Sequence, residues 1–291
     1  MDGVLVCDKP AGPTSHDVVA RVRRLAGQRR VGHAGTLDPP ATGVLVVALG
    51  RATRLLPFLP LEPKRYTATV RFGTATDTLD AAGRPTATAP ADQLDEAALR
   101  AALARFVGPQ LQVPPMVSAV KVGGERLYAK ARRGEQVDRR PRPVTVHALE
   151  LRAFRPGPAP EATLEVRCSG GTYVRALADD LGRAAGTLAH LAALRRTGVG
   201  AFSEAAAATL PRLEAAAAAG TLAELLIDPA GAMAGVATRA LDDGEAAALA
   251  VGRPLAPTGT GGPVAAIAPD GRLVAVIEDE RGHARPRVVL A

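Results

Sequence analysis

Apolar residues run without a break from Val44 to Leu49, and the chain opens with the run GVLVC from Gly3 to Cys7. Short continuous runs of this kind, bounded by turn residues, predict buried strands. From Tyr66 to Phe72 the pattern instead alternates, with Tyr66, Ala68, Val70 and Phe72 on one side, which predicts a half-buried strand. Further strands are expected at 117–122, 144–154 and 162–168. Helical spacing appears at Val18, Val19, Val22 and Leu25 behind a Ser15 N-cap, and at Leu94, Ala98, Leu103 and Phe106 within 94–107. Another helix is expected from Tyr173 to Ala185, and the alanine runs of 201–250 read as helix. Near the end, Val264–Ala268 and Leu273–Ile277 flank Pro269-Asp270-Gly271, a hairpin signal, and Arg287–Leu290 adds a short strand. Strands outnumber helices and several adjoin in sequence. The expected class is therefore α+β: a mixed, largely antiparallel central sheet with flanking helices, plus a small β module from about residue 236.

Two stretches break the pattern. VGHAGTLDPPATG, from Val31 to Gly43, holds three glycines and two adjacent prolines, so it reads as a long loop running into the Val44–Leu49 strand. Loops of that length in compact domains are uncommon and usually functional. Gly73 to Pro90 reads as a polar loop containing Asp77 and Asp80.

Charge narrows the function. The chain has 291 residues, 36 Lys+Arg against 29 Asp+Glu, and a net charge of +7. Five arginines fall within 21–30, and ten bases against four acids within 121–155, whereas 201–250 holds two bases and seven acids. An uneven basic excess suggests a polyanionic partner such as nucleic acid. Only four of the bases are lysines (Lys9, Lys64, Lys121, Lys130), a ratio that coding bias explains, although bias does not explain the positive sign. No run approaches the roughly 18 apolar residues of a membrane span. The N-terminus MDGVLVCDKP has no basic n-region, so the expected compartment is the cytoplasm. Cys7 and Cys168 form neither a disulfide framework nor a zinc site, and each sits in an apolar strand as a reduced core thiol.

Common catalytic templates are missing: there is no Walker A or G-x-S-x-G pattern, and His16, His33, His147, His190 and His283 lack metal-ligand spacing. Carboxylate chemistry remains. Asp38 lies in the Gly/Pro-rich loop, stiffened by Pro39-Pro40, where it either caps a turn or serves as nucleophile or general base. A second constellation is CSGGTYVR, Cys168 to Arg175. Arg175 in the first turn of a helix opposes the helix dipole and calls for an anion, whether Asp38, an RNA phosphate or a surface acid.

The stretch GHAGTLDPPATGVLVVALGRATR, Gly32 to Arg54, resembles the catalytic signature of the TruB family of tRNA pseudouridine synthases. VLVCDKPAGPTSHDV, KRYTATVRFGTATDTLDAAG, CSGGTYVRALADDLG and LRRTGVG match further blocks in the family's order, over about 200 residues. Ala34 stands where Thr is usual and Pro40 where a larger apolar residue is usual; neither change removes a reactive group.

The resemblance implies isomerisation of uridine-55 in the T-arm loop of tRNA to pseudouridine, with no metal, redox cofactor or nucleotide consumed. It makes Asp38 the catalytic carboxylate. Tyr66 would stack on the flipped base, Tyr173 would line the same pocket, and Leu194 would close an apolar wall. Arg175 would pair with Asp38, and His33 would fill the gap left in the RNA loop. Lys9 and Asp80 are carried over as supporting residues. The expected organisation is a catalytic domain over 1–235, with a basic RNA-binding arm at about 114–143, and a PUA-like RNA-binding domain over 236–291. The expected partner is tRNA, through its T-arm loop and acceptor stem, with no membrane, no obligatory protein partner and a monomeric enzyme. A guide-RNA-dependent synthase of the dyskerin type, and a mainly non-catalytic tRNA-binding or folding protein, are the alternatives.

Overall fold

A computed structural model describes residues 1–118, 120–127, 130, 133–135 and 137–290; at 121, 122 and 126 it describes the backbone alone. The chain divides into two compact units, Met1–Leu61 with Gly198–Ala291, and Glu62–Thr197.

The first unit begins with β1 (Gly3–Lys9), α1 (Ser15–Leu25), β2 (Val31–Ala34) and β3 (Thr42–Leu49). β3 pairs antiparallel with β1 (Gly3↔Leu49 to Lys9↔Gly43) and with β2 (Val31↔Leu49, His33↔Val47). A strand paired on both edges and covered on both faces has no solvent side, which is why Val44–Leu49 is uniformly apolar. Its two faces serve two cores. Leu45, Val47 and Leu49 join Leu5, Cys7 and the α1 residues Val18, Val19 and Val22. Val44, Val46 and Ala48 join Val4, Val6 and residues of the C-terminal sheet. Burying each Val or Leu contributes about 1.5–3 kcal/mol.

Two sequence expectations change here. The N-cap of α1 is Thr14, not Ser15: its side chain accepts from Asp17 N–H while Asp17 bonds back to Thr14, a complete capping box. Ser15 is the first helical residue, and its hydroxyl is used elsewhere. The long loop is also shorter than expected. Val31–Ala34 pairs with β3 despite its glycine, leaving 35–41 as the irregular segment.

In the second unit β4 (Lys64–Phe72) buries Tyr66, Ala68, Val70 and Phe72 as the alternation predicts. β5 (Thr74–Thr76) and β6 (Pro85–Thr88) form a hairpin within the stretch expected to be loop; its threonines are β-branched and suit strands, β6 lying exposed while β5 buries Ala75 and Thr76. α2 (Glu96–Ala104), capped by Asp95, turns Leu99, Ala102 and Leu103 inward. Ala98 is exposed, because the buried face runs through Leu99, Ala102 and Leu103 and at about 100° per residue Ala98 falls at its edge. β7 (Gly108–Gln112) follows, then a small ribbon of β8 (Lys121–Val122) and β9 (Glu125–Arg126), all that is seen of the strand expected at 117–122. β10 (Arg142–Arg155), β11 (Glu161–Cys168), α3 (Val174–Ala184) and β12 (Ala189–Val199) complete the unit, β12 running two residues past its boundary. The strand order is β12-β4-β11-β10-β7, with β4, β11, β10 and β7 antiparallel in turn. Leu177 and Leu181 of α3 cover the apolar face of β4 and β11.

The chain then returns to the first unit. β13 (Phe202–Ser203) pairs with 198–199 and β14 (Ala208–Thr209) lies parallel to Cys7–Asp8. After α4 (Leu210–Ala218), α5 (Pro229–Ala232) and α6 (Asp243–Ala250) interleave with a four-stranded sheet, β15 (Ala237–Ala240), β16 (Val264–Ile267), β17 (Leu273–Glu280) and β18 (His283–Val289). The expected Pro269-Asp270-Gly271 turn joins β16 to β17, and Arg51 and Arg54 donate to the Leu290 and Val289 carbonyls. Both cysteines are buried thiols; burial pushes Cys7 up to about 12 and Cys168 up to about 11. Among the described residues, no helix is long and apolar enough to cross a membrane.

Candidate functional site

Asp38 sits half-buried at the turn of the 35–41 loop. The backbone around it is tied down from three directions. Lys9, at the end of β1 and 0% exposed, donates its ammonium to the carbonyls of Pro10, Pro39 and Ala41 at 2.9, 3.0 and 2.7 Å. The Ser15 hydroxyl accepts from Leu37 N–H (2.9 Å) and donates to Leu37 O (3.1 Å). Gly12 N–H donates to Pro39 O, and Ala41 N–H closes the turn onto Asp38 O. Gly35, at φ +76°, occupies the left-handed region that glycine adopts without strain. The loop thus has no hydrogen-bonding ladder of its own, yet the residues before and after the aspartate are fixed by buried donors. Lys9, expected only as a supporting residue, is the anchor of this arrangement. His33, on β2, rests its ring edge-to-face against His16, with centroids 5.2 Å apart.

In the second unit, Tyr66 is 7% exposed on β4, opposite Val166 of β11. Lys64 lies two residues before it on the same strand, directly opposite Cys168, and so shares its face. Burial, reinforced by Arg196, holds the Lys64 ammonium below its usual value, while Cys168 and Glu62 oppose that shift. Leu194, on β12, packs half-buried against the same core.

Arg175 is 3% exposed in the first turn of α3. Its guanidinium donates to Thr78 O (3.0 Å) and Val117 O (2.9 Å) and lies 3.6 Å from the Asp80 carboxylate. Asp80 is held in turn: Thr78 Oγ1 and Ala82 N–H donate to it, and its backbone bridges to Leu191 at the start of β12. Leu79, just before it, has φ +64°, an unfavourable conformation for leucine and one that the flanking bonds to Leu191 sustain. Tyr173, the residue preceding α3, has both of its backbone groups read by the amide of Gln112, at 2.8 and 3.1 Å. Asp80, expected only as a supporting residue, therefore lies in direct contact with Arg175, and Tyr173 is fixed through its backbone.

The expected residues thus fall on both units: Lys9, His33 and Asp38 on the first, Tyr66, Asp80, Tyr173, Arg175 and Leu194 on the second. Sequence reasoning missed Ser15 as a loop clamp, Gln112 as the clamp on Tyr173, and Arg196 beside Tyr66. Of the expected basic arm at 114–143, residues 119, 128, 129, 131, 132 and 136 lie outside the described residues, as do the side chains of 121, 122 and 126. Elsewhere in the arm Arg133 pairs with Glu125 and Glu135, and Arg139 donates to Pro114 O. Chemically, the first unit offers a carboxylate on stiff backbone. The second offers an aromatic ring, an apolar side chain and buried cations, a combination suited to a flat, polar, anionic-backbone substrate.

Residues 23–174 match the TruB family pseudouridylate synthase N-terminal domain, 175–233 the tRNA pseudouridylate synthase B C-terminal domain, and 236–291 the tRNA pseudouridine synthase II C-terminal domain. The tRNA pseudouridine synthase B of Thermobifida fusca is 50% identical over 295 residues, covering 100% of this chain and 99% of that protein. That of Symbiobacterium thermophilum is 55% identical over 215 residues, covering 74% and 72%. Among solved structures, Cbf5 in the archaeal box H/ACA sRNP Nop10–Cbf5 complex aligns with a TM-score of 0.75 at 26% identity, covering 99% of this chain and 86% of that one. A Cbf5–Nop10–Gar1 complex gives 0.76 at 27%, covering 99% and 85%.

Proposed function

Because the chain belongs to the TruB family of pseudouridylate synthases, we propose that it isomerises uridine-55 in the T-arm loop of tRNA to pseudouridine, with Asp38 as the catalytic carboxylate and no cofactor. The observation that carries this reading is the 35–41 loop. Its family signature places Asp38 between residues fixed by the buried Lys9 ammonium and the Ser15 hydroxyl. A reactive carboxylate gains most from such fixed placement, since effective molarities depend on geometry held before the substrate arrives.

The reaction breaks the C1′–N1 bond, turns the base and forms C1′–C5; C5 gives up a proton and N1 takes one, so no oxidant or reductant enters. A base stacked in an RNA loop must first be extruded, at a cost of about a few kcal/mol. Stacking on Tyr66 returns about 1–3 kcal/mol, and His33 fills the space that the base leaves. Tyr173 and Leu194 line the base's surroundings, and the buried Asp80–Arg175 pair supports them. The basic arm at 114–143 grips the T-arm, and the β15–β18 sheet serves as a PUA-like module toward the acceptor stem. The enzyme works in the cytoplasm as a monomer, without an obligatory protein partner.

Likeness to Cbf5, solved in complexes with Nop10 and Gar1, favours one alternative, guide-RNA-dependent action. One experiment decides between them: purified protein is incubated with a bare tRNA transcript, and pseudouridine is mapped by position. Stoichiometric modification at position 55 without added RNA or protein is expected. Modification that appears only with a guide RNA supports the alternative, and none under either condition overturns both.

A further inference from the structure

Gln112 closes β7, the edge strand of its sheet, and at 3% exposure it is the one residue of that strand to be buried. Its amide is spent on a single partner 61 residues on. The side-chain oxygen accepts from Tyr173 N–H at 2.8 Å, and the side-chain nitrogen donates to Tyr173 O at 3.1 Å. That assignment is forced, since only the amide oxygen accepts and only its nitrogen donates. A buried amide is costly unless it is paired. A methionine of similar length would fill the space without that cost, so the polar group is there for what it holds.

What it holds has little other support. Helices usually begin at a Ser, Thr, Asp or Asn whose side chain caps the first turn. α3 begins at Tyr173 (φ −97°, ψ 105°) with no side-chain cap and no acid in its first turn. Among the described residues nothing hydrogen-bonds the Tyr173 hydroxyl, and the ring is half-buried. The direction in which the ring leaves the chain is therefore set by the backbone, and the backbone by Gln112. Two bonds, one on each side of the same Cα, restrict rotation as well as translation. The turn is held again at Arg175, which donates to Val117 O at 2.9 Å. Between Gln112 and Val117 lies Val113-Pro114-Pro115. Proline offers no N–H to a ladder and keeps the residue before it extended. The entry to the basic arm is thus fastened to the start of α3 at both ends.

We propose that Gln112 is a positioning residue for the isomerisation: its amide sets how Tyr173 faces the base, and the Gln112 and Val117 contacts make the entry to the arm part of the same wall. No proton passes through Gln112, and a buried amide touches no RNA. What it supplies is placement held before the RNA arrives, and its loss lowers kcat rather than affinity, since a displacement of about 1 Å costs about a hundredfold in rate.

The inference rests on the reading that Tyr173 lines the base's surroundings, and its test is chosen to fail separately. The chain has three tyrosines, so protein labelled with 3-fluorotyrosine gives three fluorine resonances, each assigned by a Tyr→Phe variant. Gln112→Met removes both bonds with little change in volume. In that variant without RNA, the Tyr173 resonance is expected to shift or split while that of Tyr66 stays in place. On tRNA transcript, kcat should fall at least about tenfold with KM within about twofold. Gln112→Glu keeps the acceptor for Tyr173 N–H but loses the donor to Tyr173 O at neutral pH, and should move both readouts the same way. A merely structural glutamine lowers the unfolding midpoint and leaves the kcat of the folded protein unmoved. An unmoved Tyr173 resonance overturns the inference, as does a loss confined to KM. If Gln112→Met does not fold, Gln112→Glu decides by the same two readouts. Failure of the underlying reading looks different: Tyr173→Ala itself then turns over like wild type, whereas failure of the inference alone leaves Tyr173→Ala impaired and the Gln112 variants active.

Discussion

Replacing Lys9 with methionine removes the ammonium that joins the end of β1 to Pro39 and Ala41, which follow Asp38, while keeping the length of the side chain. Three carbonyls lose a charged donor, at 2.7–3.0 Å in the intact protein. Hydrogen bonds to a charged group are worth about 1.5–3 kcal/mol each, but removing the ammonium also removes its desolvation cost, several kcal/mol for a buried ion. Only the bond to Ala41 O is fully buried. The Pro10 and Pro39 carbonyls lie in partly buried bonds and can recover water. The net loss is therefore about 2–5 kcal/mol, a large share of the 5–15 kcal/mol that holds a typical domain together. Catalysis should suffer further, because a displacement of about 1 Å in a reacting group costs about a hundredfold in rate. Urea unfolding at pH 7 and single-turnover assays on tRNA transcript measure the two effects. The expected signature is a lower midpoint with unchanged slope, and a kcat loss well beyond any change in KM. Unfolding within about 1 kcal/mol of wild type together with wild-type kcat would refute the claim that Lys9 holds the loop.

Two further predictions concern the rest of the framework. Burial keeps the Cys7 and Cys168 thiols protonated to about 12 and about 11, above the value of 9.0 for a free thiol. Below pH 9 they leave stability untouched; as pH rises from 9 toward those folded values, the unfolded chain releases protons that the native one keeps, so stability falls. Guanidinium unfolding from pH 7 to 10.5 should show that decline, and a Cys7→Ala/Cys168→Ala double variant should flatten it; an identical slope in the double counts against it. Gly182→Ala should destabilise despite alanine's helix propensity, because a Cβ there would lie 2.5 Å from Ala189 N and 2.8 Å from the Leu188 carbonyl carbon. Overpacking against backbone costs about 1–3 kcal/mol, more than the ~1 kcal/mol that propensity returns, so thermal unfolding should show a lower Tm, and a raised one contradicts the packing.

The strands that carry the site were legible because they are apolar in a simple period. Tyr66 to Phe72 alternates since one face of β4 meets α3, and Val44–Leu49 is unbroken since β3 is enclosed. The Asp38 loop stood out through its glycines and prolines and through its family signature. What stayed hidden was polar and non-local. Lys9 reads as part of a turn, whereas β1 continues through it and buries it. Gln112 has no pattern of its own, and its partner Tyr173 lies 61 residues on. Arg196 figures in the sequence only within the LRRTGVG block, although its spacing of two from Leu194 places both on one face of a strand. Thr14 and Asp17 carried the capping-box spacing that identifies the true N-cap; Ser15, the more conspicuous serine, was committed to Leu37. The 74–88 hairpin is threonine-rich, with β6 exposed and β5 burying only Ala75 and Thr76, so no apolar alternation announced it.

The central claim is that Asp38 performs the chemistry. Asp38→Asn keeps the shape and the loop's backbone anchors while removing the carboxylate. With purified variant and tRNA transcript, binding by filter retention and pseudouridine at position 55 are measured on the same samples. The account predicts tRNA affinity within about threefold of wild type and no detectable pseudouridine. Turnover near the wild-type rate with the asparagine in place would contradict it.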